Sequence, residues 1–462
     1  MTSKQTQTTP TAYSNLPTFN QLSRYLNGLL FICYLVFILF VESFFYFMDN
    51  NYYSFIQRIT YKLSQVNILY VKLFQAIALN HQYIDESLNQ FLLTFTDNSP
   101  WCLDDIDYET LIGITNDYNI VLQDGFEKPI NTGMVSLVFK GTMDSSPVVI
   151  KIKRRNIEFK LECAIENVLC LLSLLSFIPF IQKYEIESLV TRNIYLIREQ
   201  LNFSKEVTNM MQVKENFTHF KYIKIPTVYS NRIQYPNAII MEYIEGKSIT
   251  DVNPEDYEHF AKQILKFGTV SILIHGLSHG DLHAGNILFI KDDKETFDKH
   301  KYKLGILDFG IMYSIEKNFQ EVLYDIMDGL SVVDKSVLAK KIIDSGMFIQ
   351  PIETIQSLPI KDYENIIYML TNILADVFAI DGSVSGLGNC NQIKFYYFIR
   401  DFHKYMSTFL PQYHLTMSNN VIKTQLALAM THGVTMKLCK DNWTPLFAQV
   451  MNEMFHTDIF KE

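Results

Sequence analysis

Residues 279–286 read His-Gly-Asp-Leu-His-Ala-Gly-Asn, and residues 307–310 read Leu-Asp-Phe-Gly. Asp281 stands five positions before Asn286, and a second carboxylate, Asp308, follows beyond one short hairpin. Phosphoryl transfer from ATP needs this trio. One carboxylate orients the acceptor and takes its proton; an amide oxygen and a second carboxylate hold Mg²⁺. Asp281 is thus the candidate catalytic residue, and Asn286 and Asp308 are the candidate metal ligands. Two unrelated acidic turns are the plain alternative. An Asp-x4-Asn spacing alone is common. One preceded by His and followed by a hydrophobic residue and Asp-Phe-Gly is not. His275, His279 and His283 recur every four residues, as zinc ligands on a helix could. Gly276 and Gly280 interrupt that run, so His279 reads instead as a brace for the loop.

Such a loop needs a partner that grips the phosphates. From about residue 120 the pattern turns to strands. Residues 133–141 lead through Asp144-Ser145-Ser146-Pro147 into Val148-Val149-Ile150-Lys151-Ile152, a β-hairpin with a lysine in a buried strand. A protein-kinase N-lobe opens this way, with a glycine-rich loop over the phosphates and a strand lysine on the α- and β-phosphates. Asn131, Gly133 and Ser136 fill the places of the three glycines. Asn tolerates positive φ and Ser is small, so the turn survives. Gly133, Ser136, Val138 and Lys151 are the candidate ATP contacts here. A buried lysine needs a carboxylate to stay charged and aimed, and Glu206 on the next helix is the favoured one. A solvated edge lysine and an exposed helix glutamate are the alternatives. Residues 225–229 and 238–243 read as a second strand pair. Glu242, Tyr243 and Ile244 then form a hinge whose main-chain groups would contact adenine. A helix over 255–277 delivers the chain to the loop.

The 462 residues suffice for two or three structural units, and 48% hydrophobic with 19% charged residues excludes a disordered chain. A net charge of −9 argues against nucleic-acid binding. The six cysteines form no CxxC pair, so neither a zinc site nor a disulfide framework is indicated. The first 20 residues lack acidic residues, as organelle presequences do, but also lack Arg. Residues 29–48 are apolar and aromatic except for Glu42 and Ser43. Roughly 20 such residues can span a bilayer; the helix could equally lie on the membrane or be buried in the protein. Glu42 near one end could snorkel. Residues 50–95 are helical in pattern and contain Lys72-Leu73-Phe74-Gln75; residues 96–100 break the helix. From about residue 331 the pattern is helical and rich in Met, Phe and Tyr, with a break over 381–388; those side chains read as core rather than as a lipid pocket.

This set of residues resembles the UbiB family of atypical kinases, also called the ABC-one kinase-like family, over roughly residues 60–340. The resemblance rests on Lys72 and Gln75 for the family's KxGQ and on the helix of Glu206. It rests further on residues 279–286 for the His-x-Asp-x-His-x-Gly-Asn loop, on residues 307–310 for the metal turn, and on Asp97 and Pro100 for a Leu-x-Asp-x-x-Pro stretch. It implies an α+β, bilobal protein-kinase-like fold with an N-terminal helical extension over the active site and a helical C-terminal region. It implies ATP and Mg²⁺ as ligands, membrane association, an isoprenoid lipid link such as ubiquinone, and lipid-biosynthesis enzymes as partners. The expected organisation is a disordered tail (1–25), a membrane-associated helix (26–50), the extension (51–118), the N-lobe (119–246), and the C-lobe with its helical region (247–462). Members are ATPases or kinases of small molecules or lipids. No Ala-Pro-Glu follows Asp308, so a peptide platform is not evident. Three positions depart from the pattern. Phe74 replaces the glycine of KxGQ, the Ala-rich loop is absent, and Gln200-Leu201-Asn202 replaces Glu-x-Asp. The expected function is a membrane-associated atypical kinase or ATPase. A choline- or aminoglycoside-type small-molecule kinase and a pseudokinase scaffold are the alternatives.

Overall fold

The computed structural model describes residues 21–71, 91, 99–175, 194, 198–229, 234–295, 301–329, 333–377, 405, 410–439 and 442–456. Lys72 and Gln75, residues 381–388 and the first 20 positions lie outside the described residues. The chain divides into two compact units, one of Met1–Leu201 with Ser230–Ile240, the other of Asn202–Tyr229 with Met241–Glu462.

The first unit opens with α1 (Gln21–Asp49) and α2 (Tyr52–Val66). Gly28, Phe31, Leu35, Ile38 and Glu42 recur at three- and four-residue intervals, so they share one helix face. Phe31, Ile38 and Leu35 pack into a core with Leu63, Leu69 and Leu161. Glu42 is only 1% exposed, and its carboxylate is paired with Arg58 Nε and Lys62 Nζ of α2, both at 2.5 Å. Snorkelling is not needed, because the charge turns inward. The opposite face carries Phe37, Phe40, Phe44 and Phe47, all exposed.

The nucleotide-type hairpin follows α3 (Tyr108–Asp117). Strands β1 (Val121–Leu122), β2 (Asn131–Thr132), β3 (Ser136–Met143) and β4 (Ser146–Lys153) precede α4 (Ile157–Leu175). With β5 (Ile223–Lys224) in another sheet, the order here is β1-β3-β4-β6, where β6 is Ala238–Glu242 and β2 also pairs with β3. Asp144 and Ser145 take positive φ, +48° and +64°, the backbone a two-residue hairpin turn demands. Side chains alternate across a strand. Val148, Ile150 and Ile152 face a core with Leu111, Ile114 and Phe139, which sends Lys151 to the other face.

The second unit is built on α5 (Phe203–Asn216) and α6 (Tyr257–Leu273), followed by β7 (Leu277–His279), β8 (Ile287–Lys291), β9 (Tyr302–Ile306) and β10 (Met312–Ser314). The helix expected over 255–277 stops at Leu273, because Gly276 adopts φ +60°, the left-handed conformation that ends helices. The pair expected over 225–229 and 238–243 is reduced to one bridge, Val228↔Met241. Pro226 has no N–H to continue a ladder, and β5 pairs instead with β9 in parallel. Helices α7 (Lys317–Gly329), α8 (Lys335–Asp344), α9 (Ile360–Val377), α10 (Asn419–Leu438) and α11 (Trp443–His456) are the longer described helices that follow. α6 and α10 pass so closely that a Cβ on Gly268 would lie 2.6 Å from Thr431.

Among its described residues this unit buries His279 and His432 and half-buries His275. Burial pushes His275 and His279 below the ordinary imidazole range and His432 down to about 4. The unfolded chain titrates near 6.5, so it binds more protons than the native state below that pH. Stability is therefore full above pH 6.5 and falls as pH drops toward 4, with His432 alone contributing about 3 kcal/mol over that span. Urea midpoints should fall between pH 7 and pH 5, before most carboxylates protonate. A midpoint that stays level across that window would contradict these burials.

Candidate active site

Two short ladders fix the loop. β7 pairs antiparallel with β10, setting His279 opposite Met312 and Ser278 opposite Tyr313. β8 pairs with β9, setting Ile287 opposite Ile306. The loop 280–286 leaves β7 and enters β8, while the turn 307–311 leaves β9 and enters β10. Both thus spring from the same paired strands. Gly280 N–H donates to the Ile311 carbonyl (2.9 Å), and Leu307 N–H to the Asn286 carbonyl (3.1 Å).

Within this frame Asp281, Asn286 and Asp308 come together. Asn286 Nδ2 donates to the Asp281 carbonyl at 2.9 Å. With Nδ2 so engaged, Oδ1 is the amide atom that would face a metal. Asp308 Oδ1 accepts the Gly310 N–H at 2.9 Å. An amide oxygen and a carboxylate are hard ligands, few in number, as suits a Mg²⁺ that also takes phosphate oxygens and water. The donor set fits that ion. Among the described residues no group of three His, Cys, Asp or Glu is arranged to hold a metal.

His279 joins the two segments. It is 3% exposed. Its Nδ1 accepts the Asp281 N–H at 3.1 Å, and its Nε2 contacts the Asp308 carbonyl. A neutral imidazole has one donor and one acceptor. Because Nδ1 accepts, Nε2 carries the proton and donates to Asp308. Burial keeps the ring neutral, outweighing the pull of Asp308 and Asp281. His283 is held locally, with Nδ1 accepting the Gly285 N–H.

The remaining candidates are distributed between the units. Lys151, 8% exposed, lies on β4 opposite Val138 of β3. Gly133 N–H donates to the Ser136 carbonyl at 2.9 Å, closing a tight turn. These residues belong to the first unit. Glu206, 1% exposed, sits in the first turn of α5 in the second. That helix is N-capped by Asn202, whose side chain accepts the Lys205 N–H at 3.0 Å. Asn caps as well as Asp, so the departure at this position keeps the cap and drops the charge. Glu242 is held by its neighbours: its carboxylate meets Lys224 at 2.7 Å and Thr227 Oγ1 at 3.1 Å. Burial pushes that carboxyl up, but Lys224 and Thr227 outweigh it and hold it below the ordinary range. The Glu242 N–H is also spent, on the Thr227 carbonyl.

Two site residues escaped the sequence reading. Asn209, buried one turn after Glu206, donates from Nδ2 to the Phe309 carbonyl at 2.9 Å. It ties the Glu206 helix to the 307–311 turn across 100 positions, a contact no local pattern announces. Gly280 is the other. A Cβ there would lie 2.6 Å from Ile311 Cγ2 and 2.9 Å from the Tyr313 ring.

Residues 118–342 match the ABC1 atypical kinase-like domain. The matched stretch contains Lys151, Glu206, Asp281, Asn286 and Asp308, and the domain has an α+β, kinase-like fold. A relative from Arabidopsis thaliana, the chloroplastic protein Activity of BC1 complex kinase 8, is 22% identical over 236 residues, covering 48% of this chain. The probable protein kinase UbiB of Shewanella baltica is 24% identical over 237 residues, again 48% of this chain. The chain spans 29% and 40% of those relatives' lengths. The Rv3197–erythromycin complex from Mycobacterium tuberculosis aligns over 84% of this chain and 92% of that one, at 15% identity and a TM-score of 0.47.

Proposed function

We propose that the chain is a membrane-associated atypical kinase or ATPase of the UbiB type that transfers the γ-phosphoryl of ATP to a small molecule, a lipid or water. The observation that carries this is the hydrogen-bonded junction of His279, Asp281, Asn286 and Asp308. Lys151 grips the α- and β-phosphates, with Glu206 as its carboxylate. Gly133, Ser136 and Val138 cover the nucleotide. With the Glu242 N–H committed to Thr227, adenine contacts fall to the Glu242 carbonyl and the main chain of Tyr243 and Ile244.

Asp281 accepts the proton of the acceptor hydroxyl or water as its oxygen bonds to the γ-phosphorus. The bond from that phosphorus to the β–γ bridging oxygen breaks, and ADP leaves with the electron pair. Mg²⁺ on Asn286 and Asp308 would neutralise charge on the β- and γ-phosphates. His279 keeps Asp281 and Asp308 in fixed relation.

The lipid side of the proposal rests on α1. It is the one described helix long and apolar enough to cross a membrane. Its exposed aromatic face suits acyl chains, and the inward pairing of Glu42 removes a charge from that face. An isoprenoid acceptor and lipid-biosynthesis partners follow the UbiB likeness, with Lys72 and Gln75 assigned to the extension over the nucleotide. The test is ATP turnover by the full chain with and without liposomes carrying an isoprenoid phenol. Stimulation by both supports the proposal. Nucleotide binding without turnover under every condition would favour a pseudokinase scaffold.

A further inference from the structure

The turn at Gly133 is set by residues far from it in sequence. Arg154 follows β4 three positions after Lys151 and is 3% exposed. Its five N–H groups are all engaged. Nε and one terminal nitrogen reach the Gly133 carbonyl at 3.0 and 2.7 Å. The other terminal nitrogen reaches the Pro100 carbonyl at 2.8 Å and Asp105 Oδ2 at 3.0 Å. The fifth contact, 3.5 Å, goes to the Ser99 carbonyl. The Arg154 main chain completes the hold, its N–H donating to the Val135 carbonyl at 2.9 Å. Asp105 is fixed in turn by Lys160 Nζ at 2.7 Å and by the Cys102 N–H. Burial pushes the Asp105 carboxyl up, but Lys160 and Arg154 outweigh it and keep it ionised.

We propose that Arg154 and Asp105 are positioning residues that clamp the 131–136 turn in its phosphate-binding form and tie it to the chain arriving from the helical extension. The proposal rests on reading that turn as the nucleotide loop. A buried guanidinium binding one carbonyl twice fixes the plane of the peptide that follows Gly133. Carbonyl and N–H point oppositely across a trans peptide. The clamp therefore sets the direction of the Met134 N–H, a main-chain donor of the kind that cradles phosphate. The extension enters the same network. Ser99 N–H donates to the Thr132 carbonyl at 2.9 Å, and Thr132 Oγ1 donates back to the Ser99 carbonyl at 3.0 Å. Only Gly133 among Asn131, Gly133 and Ser136 is a glycine. In this protein external hydrogen bonds, rather than glycine geometry, hold the loop.

The test uses the full chain with Arg154→Lys, which keeps the charge but loses the planar fork, and Asp105→Asn, which keeps the shape. Two readouts are taken: amide hydrogen exchange over residues 131–136, and the KM and kcat for MgATP. Arg154→Lys should speed exchange by about tenfold and raise KM by about tenfold while kcat changes by less than about threefold. Asp105→Asn should move both in the same direction by about threefold. If Arg154→Lys fails to fold, Asp105→Asn carries the test. Folded variants with wild-type exchange and wild-type KM would overturn the clamp. Faster exchange in a protein whose wild type binds no MgATP would uphold the clamp as structure and overturn its assignment to a nucleotide loop.

Discussion

Asp281→Asn should lower turnover by about a thousandfold while nucleotide affinity stays within about twofold. The substitution is nearly isosteric. The main-chain N–H of residue 281 still donates to His279, and its carbonyl still accepts from Asn286, so loop geometry is retained. What is lost is the carboxylate proposed to accept the acceptor's proton. Rate constants from single-turnover experiments, alongside nucleotide titrations, separate the two effects. An equal loss of binding and turnover would show that Asp281 holds the nucleotide rather than the acceptor.

Gly280→Ala should lower turnover by about a hundredfold without removing any functional group. The new Cβ would fall 2.6 Å from Ile311 Cγ2 and 2.9 and 3.0 Å from two atoms of the Tyr313 ring. Those neighbours cannot yield easily. Ile311 accepts the hydrogen bond of residue 280 itself. Tyr313 lies in a strand paired with β7, and burial, with the nearby Asp281 charge, pushes its hydroxyl up to about 12. The loop must therefore move, and Asp281 is the next residue. Overpacking of this sort costs about 1–3 kcal/mol, so thermal stability should fall as well. Wild-type turnover in Gly280→Ala would mean that the loop tolerates displacement and that its tight seating is not required.

The meeting of the 280–286 loop with the 307–311 turn was legible because both lie close in sequence. Asp281 and Asn286 share one loop, and Asp308 follows after a single hairpin, so spacing alone brought the trio together. The hairpin with Lys151 was legible for a similar reason: alternating apolar residues flank a turn of Asp144 and Ser145. Long-range polar contacts left no such trace. Asn209 looks like any helix asparagine until Phe309 is placed beside it. Arg154 reads as one more cation in a basic stretch, yet its partners lie up to 55 positions away. Glu42 read as a defect in an apolar helix, because nothing in residues 29–48 reveals that α2 supplies Arg58 and Lys62. The strand expected over 225–229 failed for a local reason, the missing N–H of Pro226, which spacing had not weighed.

The central claim is that Asn286 and Asp308 hold a metal with the nucleotide. Calorimetric titration of ATP into wild type and Asp308→Ala, each with Mg²⁺ and with a chelator, tests it directly. The account predicts that Mg²⁺ tightens binding by wild type at least about tenfold and that Asp308→Ala erases this dependence. Equal Mg²⁺ dependence in both proteins would contradict it.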